Sequence, residues 1–96
     1  MKALLVIHER VFFEDGFLIE IKVWRVPEPV IPSAHSLKYS LFYGRSGSRV
    51  LGYDNEKGKG DHRHDKNGER AYRFISIEKL LEDFKADVER VRGTGI

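Results

Sequence analysis

The sequence predicts an α+β fold, in which an antiparallel sheet of about five strands carries one C-terminal helix packed on one face. Two observations lead to this fold class. Up to residue 75, short runs of alternating apolar and polar residues are separated by turn residues, as in half-buried strands. Residues 76–93 place their apolar side chains at helical spacing instead. The apolar stripe of this helix needs a partner, and the apolar face of the sheet is the one that the sequence offers.

The first two strands, ALLVIHERVFF and FLIEIKVWRV, are separated by EDG and are predicted to form an N-terminal hairpin. A two-residue turn would place charged side chains opposite apolar ones. A three-residue loop with Gly16 in the left-handed conformation instead pairs Val11 with Ile19 and Arg10 with Glu20. This register gives one apolar face and a cross-strand ion pair, so we expect the three-residue loop.

A meander of three further strands is predicted after the hairpin, over SLKYSLFYG, RVLGYD and RAYRFI. All three prolines lie in PEPVIPSAH, between the second and third strands, and predict a rigid connection because proline cannot donate to a strand ladder. The helix is predicted to begin after Ser76, which can cap its N-terminus, and to end at Gly93.

Length and composition limit the class of protein. A chain of 96 residues fits one domain, residues 1–96, with a thin core. A formal net charge of +2 is compatible with nucleic-acid binding without selecting for it. The chain has no cysteine, which excludes disulfides and thiolate metal sites. No apolar run reaches the ~20 residues that span a bilayer, and the N-terminal run is too short for a secretory signal. We therefore expect a soluble cytoplasmic protein without a membrane partner.

Residues 54–69 are predicted to be a polar loop, because they include several glycines and few apolar residues. His62 and His64 are two residues apart, so a locally extended backbone would place both side chains on the same side. Such a pair suits an acid and a base on either side of a phosphodiester, or two ligands of one metal ion. Two solvated loop histidines without a function are the alternative.

Other residues near the histidines could bind phosphate or orient an imidazole. Asp54 could accept a hydrogen bond from a histidine ring and fix its tautomer. Flexible backbone N–H groups and cationic side chains of the loop could hold an anion; these residues are Lys57, Gly58, Lys59, Gly60 and Arg63. His35 and Lys38 could form a second cationic patch before the third strand. Tyr53 and Trp24 are candidates for stacking on a base.

A metal site is the less favoured interpretation. Such a site needs at least three ligands in general, and an acid from Asp54, Asp61 or Asp65 could join the two histidines. The spacing matches neither a structural zinc site nor the HExxH motif. We therefore expect no bound metal and no other cofactor, and we keep a metal-dependent nuclease as a third hypothesis.

Four segments resemble the TumE-type toxin family of prokaryotic toxin–antitoxin systems: VWRVPEPV, SAHSLKYSLFY, GYDNEKGKGDHRH and YRFISIEKLLEDFKADVER. The resemblance extends from Trp24 to Arg90 and implies a small cytoplasmic toxin, encoded beside an antitoxin that often has a helix-turn-helix domain. The family's motif falls on Tyr53, Asp54, Asn55, Gly58, Lys59, Gly60, Asp61, His62, Arg63 and His64. Glu56 and Lys57 stand where other branches of the family have further histidines, which makes a histidine-rich metal site less expected here.

The resemblance does not fix a mechanism, although toxins of this size commonly cut RNA. The leading hypothesis is a metal-free endoribonuclease in which His62 and His64 act as base and acid on the RNA 2′-hydroxyl and the leaving 5′-oxygen. Asp54 would set a tautomer, and the cations would stabilise the phosphate. The alternative is a non-catalytic module that binds nucleic acid or a protein through the same basic loop. An exposed edge strand is compatible with a homodimer.

Overall fold

The computed structural model describes residues 3–95 and has a six-stranded antiparallel sheet, one strand more than predicted. The elements are β1 (Leu4–Phe12), β2 (Leu18–Arg25), β3 (Leu37–Arg45), β4 (Ser48–Glu56), β5 (Gly60–Asp65), β6 (Gly68–Ala71) and α1 (Ile77–Arg92). The order of the strands in the sheet follows their order in the chain. The predicted α+β class, with one C-terminal helix, is confirmed. Nothing helical among the described residues has the length and apolar character to cross a bilayer.

The additional strand arises from residues 54–69, for which the prediction of a polar loop is wrong. β4 continues to Glu56, a turn over residues 57–59 leads into β5, and a turn over residues 66–67 leads into β6. Gly58, Gly60 and Gly68 have φ angles of 88, 76 and 112°, which are conformations that other residues rarely adopt. β5 has no apolar residue, so it lacks the alternation of apolar and polar residues by which a strand is predicted from sequence.

The N-terminal hairpin has the predicted register. Val11 lies opposite Ile19, and Arg10 lies opposite Glu20. The Arg10 Nε atom is 2.6 Å from a carboxylate oxygen of Glu20. Gly16 has a φ angle of 87°, in the left-handed region. The three-residue loop is therefore confirmed.

The predicted caps of the helix are also confirmed. The Ser76 side chain accepts a hydrogen bond from the backbone N–H of Lys79, which satisfies one of the free donors of the first turn. Gly93 has a φ angle of 76°, and its N–H donates to the carbonyl of Glu89. Between these caps, Leu80, Phe84 and Val88 are buried against the sheet.

The helix covers one face of the sheet, and the core lies between them. Its sheet residues are Ile19, Val23, Tyr39, Leu41, Tyr43, Leu51 and Tyr53. Because side chains alternate along a strand, the residues next to these lie on the opposite face, which we call the helix-free face. The strand register places two adjacent rows there: Lys22, Ser40, Asp54, His62 and Ala71, and Glu20, Phe42, Gly52, His64 and Glu69.

Candidate functional site

Two imidazoles and one carboxylate converge on the helix-free face where β4 and β5 pair. Asp54 lies directly opposite His62, and His64 follows His62 on the same face of β5. The Nε2 atoms of His62 and His64 are 2.5 and 3.5 Å from the same Asp54 Oδ1 atom. The two rings meet edge to face, with centroids 4.6 Å apart. The structure thus brings together the three residues that the sequence analysis assigned to catalysis, and we call them the His–Asp cluster.

The facing atoms of the His–Asp cluster are buried and have no hydrogen-bond partner among the described residues. His62 is 3% exposed, whereas the side chains of His64 and Asp54 are 14 and 18% exposed. Asp54 Oδ1, His62 Nε2 and His64 Nε2 lie close together, but their contacts are not aligned as hydrogen bonds. Buried polar atoms in folded proteins are nearly always paired, so three unpaired atoms at one point call for an explanation.

The second nitrogen of each ring has a neighbour of its own. His62 Nδ1 is 2.8 Å from the Gly60 carbonyl oxygen, to which it must donate because a carbonyl only accepts. In the neutral ring this bond leaves a lone pair on Nε2, directed at Asp54. His64 Nδ1 is 3.6 Å from one oxygen of Glu69, whose other oxygen is 3.6 Å from His62 Nε2. Glu69, which the sequence analysis did not identify, therefore forms the exposed edge of the cluster.

Arg49 brings a cation to the β4 side of His64 by crossing over Gly52. Gly52 lies opposite His64 on β4, and a Cβ atom placed there would be 2.9 Å from Arg49 Cδ and 3.5 Å from Arg49 Nη1. The absence of a side chain at Gly52 is thus what lets the exposed Arg49 side chain cross at this point. The sequence analysis missed both residues. A glycine inside a strand often marks a close approach, and that signal could have identified Gly52.

Three of the predicted phosphate-binding cations lie on the helix-free face or in the β4–β5 turn. Lys38 is directly opposite Trp24, and both belong to the helix-free face. Lys59 is in the turn, with its Nζ atom 3.6 Å from Glu69. The same turn also carries the exposed residues Lys57 and Gly58.

Arg63 lies on the helix-covered face and does not face the His–Asp cluster. Its guanidinium donates to Asp87 of α1 at 2.8 Å, to Asp65 at 2.5 Å and to the Tyr53 hydroxyl at 3.1 Å. The hydrogen bond to Asp87 is the largest cause of a raised pKa of Arg63, and it outweighs the opposing effect of burial. Arg63 therefore ties β5 to the helix, and its predicted role in binding phosphate at the cluster does not fit this position.

His35 and Tyr53 also belong to the helix-covered side. His35 Nε2 is 2.7 Å from Asp61, and its ring stacks on a neighbouring phenylalanine ring. Tyr53 is 3% exposed and donates its hydroxyl to Asp87, so its ring is not available to stack on a base. Of the two predicted stacking residues, Trp24 is the one on the helix-free face, where it is half-buried.

Asp61 anchors the proline-rich connection to the strand that carries both histidines. Its carboxylate accepts hydrogen bonds from Ser33, His35 and the Tyr39 hydroxyl, at 2.5, 2.7 and 2.7 Å. Burial by itself would raise the pKa of Asp61, but the three hydrogen bonds together hold it below its usual value. Asp61 and Asp65 were alternatives to Asp54 as a metal ligand, and both point away from the cluster, toward the helix-covered face.

The helix-free face continues from the cluster as a surface of cations and aromatic rings. Arg10 and Lys22 lie 2.6 and 3.7 Å from Glu20, so one carboxylate pairs with two cations and leaves an excess of positive charge. Beside them, a cavity of about 360 Å³ opens against Phe42 and Arg45. A surface with this mixture of positive charge and rings is suited to binding single-stranded nucleic acid.

Comparison with known proteins identifies one related family. The family model described as Toxin TumE matches residues 2–92 of the chain. The matched range contains the His–Asp cluster, the helix-free face and the whole of α1. Neither a curated protein nor a solved structure matches the chain significantly.

Proposed function

We propose that this chain, which belongs to the TumE toxin family, acts as a toxin by cleaving RNA at the His–Asp cluster. The observation that carries the proposal is the convergence of three buried, unpaired polar atoms on an open sheet face. Groups that can accept a proton are rarely left unpaired inside a fold unless the site uses them. Family membership supports the toxic activity in general, and the cleavage of RNA is inferred from the site.

RNA suits the surface around the cluster because its backbone is anionic and its bases are flat. In this proposal, Arg49, Lys59 and Lys38 supply cations for phosphates near the cluster. Trp24 and Phe42 offer rings on neighbouring strands of the same face, at separate points along them, because Trp24 lies opposite Lys38 and Phe42 lies opposite Glu20. Exposed rings on a sheet face are a common platform for the unstacked bases of single-stranded RNA.

The proposed reaction is a transesterification that needs no second substrate. The 2′-hydroxyl of a ribose loses its proton to a base in the cluster, and its oxygen forms a bond to the adjacent phosphorus. The bond from phosphorus to the 5′-oxygen breaks, and this oxygen takes up the proton that the base in the cluster received. The products are a cyclic phosphate and a 5′-hydroxyl end. Arg49 and Lys59 stabilise the charge that develops on the phosphate oxygens.

The burial of His62 changes the roles that the sequence analysis gave to the two histidines. A residue that is 3% exposed, with its Nδ1 atom bonded to the Gly60 carbonyl, cannot lie across a phosphodiester from His64. We therefore assign His62 to positioning Asp54 and His64. In this proposal the substrate meets the cluster at its exposed edge, beside His64 and Glu69.

The test combines growth arrest on expression with cleavage of RNA by the purified protein. Changing His64→Gln is expected to slow cleavage by about 10²–10⁴-fold, as loss of a proton-transfer group does, and Asp54→Asn is expected to slow it because Asp54 orients His64. His8→Gln is the matched control, because His8 lies on the same face and contacts the Glu20 carboxylate at 3.5 Å. A folded His64→Gln variant that cleaves RNA at the native rate would exclude the proposed reaction.

A second candidate function is a binding module that uses the same face without breaking a bond. The row of cations and rings beside the cluster favours it. Under this hypothesis, Arg49→Gln with Lys59→Gln abolishes toxicity and weakens RNA binding, whereas His64→Gln leaves both unchanged. Growth arrest by the His64→Gln variant separates the two functions, and fluorescence anisotropy with labelled single-stranded RNA, measured at several salt concentrations, checks that this variant still binds RNA.

The partner that we propose is a cognate antitoxin, a small helix-turn-helix protein that acts in the cytoplasm with the toxin. Membership of a toxin family supports an antitoxin in general. Co-expression of the adjacent gene is expected to restore growth. Failure of every neighbouring gene to restore growth would contradict this pairing.

The homodimer stays a prediction that the free edge of the sheet supports. β1 is an edge strand, and its residues Leu4, Leu5 and Phe12 are 64, 54 and 71% exposed. Exposed apolar edge strands are places where two chains can pair. Sedimentation equilibrium of the purified protein measures the mass directly, and a monomer at micromolar concentration would contradict the prediction.

A further inference from the structure

We propose that the His–Asp cluster is a binding site for a divalent first-row transition-metal ion such as Zn²⁺ or Mn²⁺. The ligands are His62 Nε2, His64 Nε2 and a carboxylate oxygen of Asp54. The sequence analysis expected no metal, so this proposal replaces that expectation. Binding of the ion does not depend on the proposed cleavage of RNA, and the experiment below measures binding alone.

The distances between the donor atoms suit one shared ion. One ligand atom from each of the three residues lies within 4.8 Å of the others, and Asp54 Oδ1 is 2.5 and 3.5 Å from the two Nε2 atoms. Ions of this class bind imidazole nitrogen and carboxylate oxygen at ~2.0–2.2 Å. For all three atoms to reach that distance from a common centre, side-chain rotation has to move Asp54 Oδ1 and His62 Nε2 apart. Two histidines with one carboxylate are a donor set that zinc, iron and manganese all accept.

The alignment of the facing atoms favours an ion over a direct hydrogen bond. In a neutral ring, which donates its Nδ1 proton to the Gly60 carbonyl, the Nε2 atom of His62 presents a lone pair to Asp54; an imidazolium ring would present a proton there instead. An ionised carboxylate also presents only lone pairs, and two acceptors 2.5 Å apart repel each other. A proton between them would pair two of the three orphaned atoms at most, and the angles do not form that hydrogen bond. One cation between the three residues satisfies all the atoms at once.

The surroundings of the ligands fit a metal site. The Gly60 carbonyl fixes the tautomer of His62, as outer-shell acceptors do for metal-bound histidines. Glu69 stands 3.6 Å from His64 Nδ1 and can do the same for the second ring. All three ligands project from two paired strands, which hold them more rigidly than a loop would.

Three protein ligands leave coordination positions open toward the exposed edge at Glu69. Open positions are typical of catalytic metal sites, in which a bound water of lowered pKa serves as base or nucleophile. If the proposed cleavage takes place, such a water would take the place of an imidazole as the base. This last consequence is the part that rests on the proposed function.

The experiment measures metal binding by the full chain after removal of bound ions with a chelator. Isothermal titration with Zn²⁺ and with Mn²⁺ is expected to give one ion per chain for at least one of them. Changing a residue that only hydrogen-bonds to a metal ligand weakens binding by about 10–100-fold, and Glu69→Gln is expected to stay within this range. Asp54→Ala and His64→Ala each remove a ligand and are expected to weaken binding by more than this range. His8→Ala, on the same face but outside the cluster, is expected to leave the affinity unchanged. Affinity should fall with falling pH, because a histidine ligand must be neutral.

The result that overturns the proposal is wild-type protein that binds neither ion in a one-to-one ratio, or binds no more tightly than the cluster variants. Circular dichroism of each variant checks its fold, and the isosteric Asp54→Asn variant provides the comparison if Asp54→Ala is unfolded. A wild-type protein that cleaves RNA but binds no ion would refute this proposal and leave the proposed function standing. A wild-type protein that binds the ion but cleaves no RNA would support this proposal and refute the proposed cleavage.

Discussion

Replacing Asp87 with alanine tests whether Arg63 stabilises the packing of β5 against α1 rather than binding phosphate. Asp87 is 6% exposed and accepts hydrogen bonds from Arg63 at 2.8 Å, from the Tyr53 hydroxyl at 2.5 Å and from Arg90. The Arg63 side chain is itself 16% exposed. Removing one partner of a buried ion pair costs about 3–5 kcal/mol, because the other charge stays buried without compensation. Asp65 still accepts from Arg63, so we expect the lower limit, about 3 kcal/mol.

Asp83→Ala is the matched control for this change, one turn earlier on the same helix. Asp83 accepts from the Tyr72 hydroxyl at 2.6 Å and pairs with Lys79 at 2.9 Å, but its side chain is 27% exposed. Its removal is expected to cost about 1 kcal/mol, since exposed pairs contribute little. Both variants gain alanine in a helix, so the difference in helix propensity largely cancels.

Urea unfolding followed by circular dichroism measures both variants. With a slope of about 1.5 kcal/mol per molar urea, a loss of about 3 kcal/mol lowers the midpoint by about 2 M, and the control lowers it by less than 1 M. In a domain of this size, about 3 kcal/mol also lowers the melting temperature by about 12–24 °C. Equal midpoints for the Asp87→Ala and Asp83→Ala variants would refute the assignment of Arg63 to a structural role.

Three further predictions follow from single contacts. Gly52→Ala places a methyl group 2.9 Å from the Arg49 side chain, so toxicity and RNA cleavage should fall while stability changes little, and native activity of this variant would contradict the role of Gly52. The pKa of Asp61 is lower in the folded chain than in the unfolded one, so its contribution to stability is present above pH ~4 and is lost as pH falls further. The Asp61→Asn variant should therefore lose less stability than the wild type between pH 5 and pH 2, as measured by urea unfolding at each pH, and parallel losses would contradict this. Ser76→Ala should cost about 1 kcal/mol of unfolding free energy through the lost helix cap, and an unchanged urea midpoint would refute the capping contact.

The sequence was sufficient for the elements that bury an apolar face. The first four strands and the helix carry an apolar period, because a half-buried element must place its apolar residues on one side. The helix caps and the first hairpin could also be predicted from the sequence. They depend on contacts and backbone conformations close in the chain to three residues: Ser76, Gly93 and Gly16. Local chemistry determines such features, and local sequence therefore predicts them.

The fifth strand was missed because its buried side chains are polar. Asp61 is held by Ser33, His35 and Tyr39, and Arg63 is held by Asp87, all of them more than 20 residues away in the chain. Whether a charged side chain can be buried depends on such distant partners, and no local pattern reports them. The segment around the histidines was accordingly interpreted as a solvated loop.

For the site, the sequence by itself determined that two imidazoles two residues apart would leave an extended backbone on the same side, with Asp54 available to orient them. Only the tertiary structure decided which cations share their face. Pairing of β4 with β5 placed Asp54 against His62 and put Gly52 beside His64, so that Arg49 could approach, while the helix covered the face that carries Arg63. The physical reason is that strand alternation assigns each residue to one of two faces, but the packing of the helix decides which face is buried and which stays open.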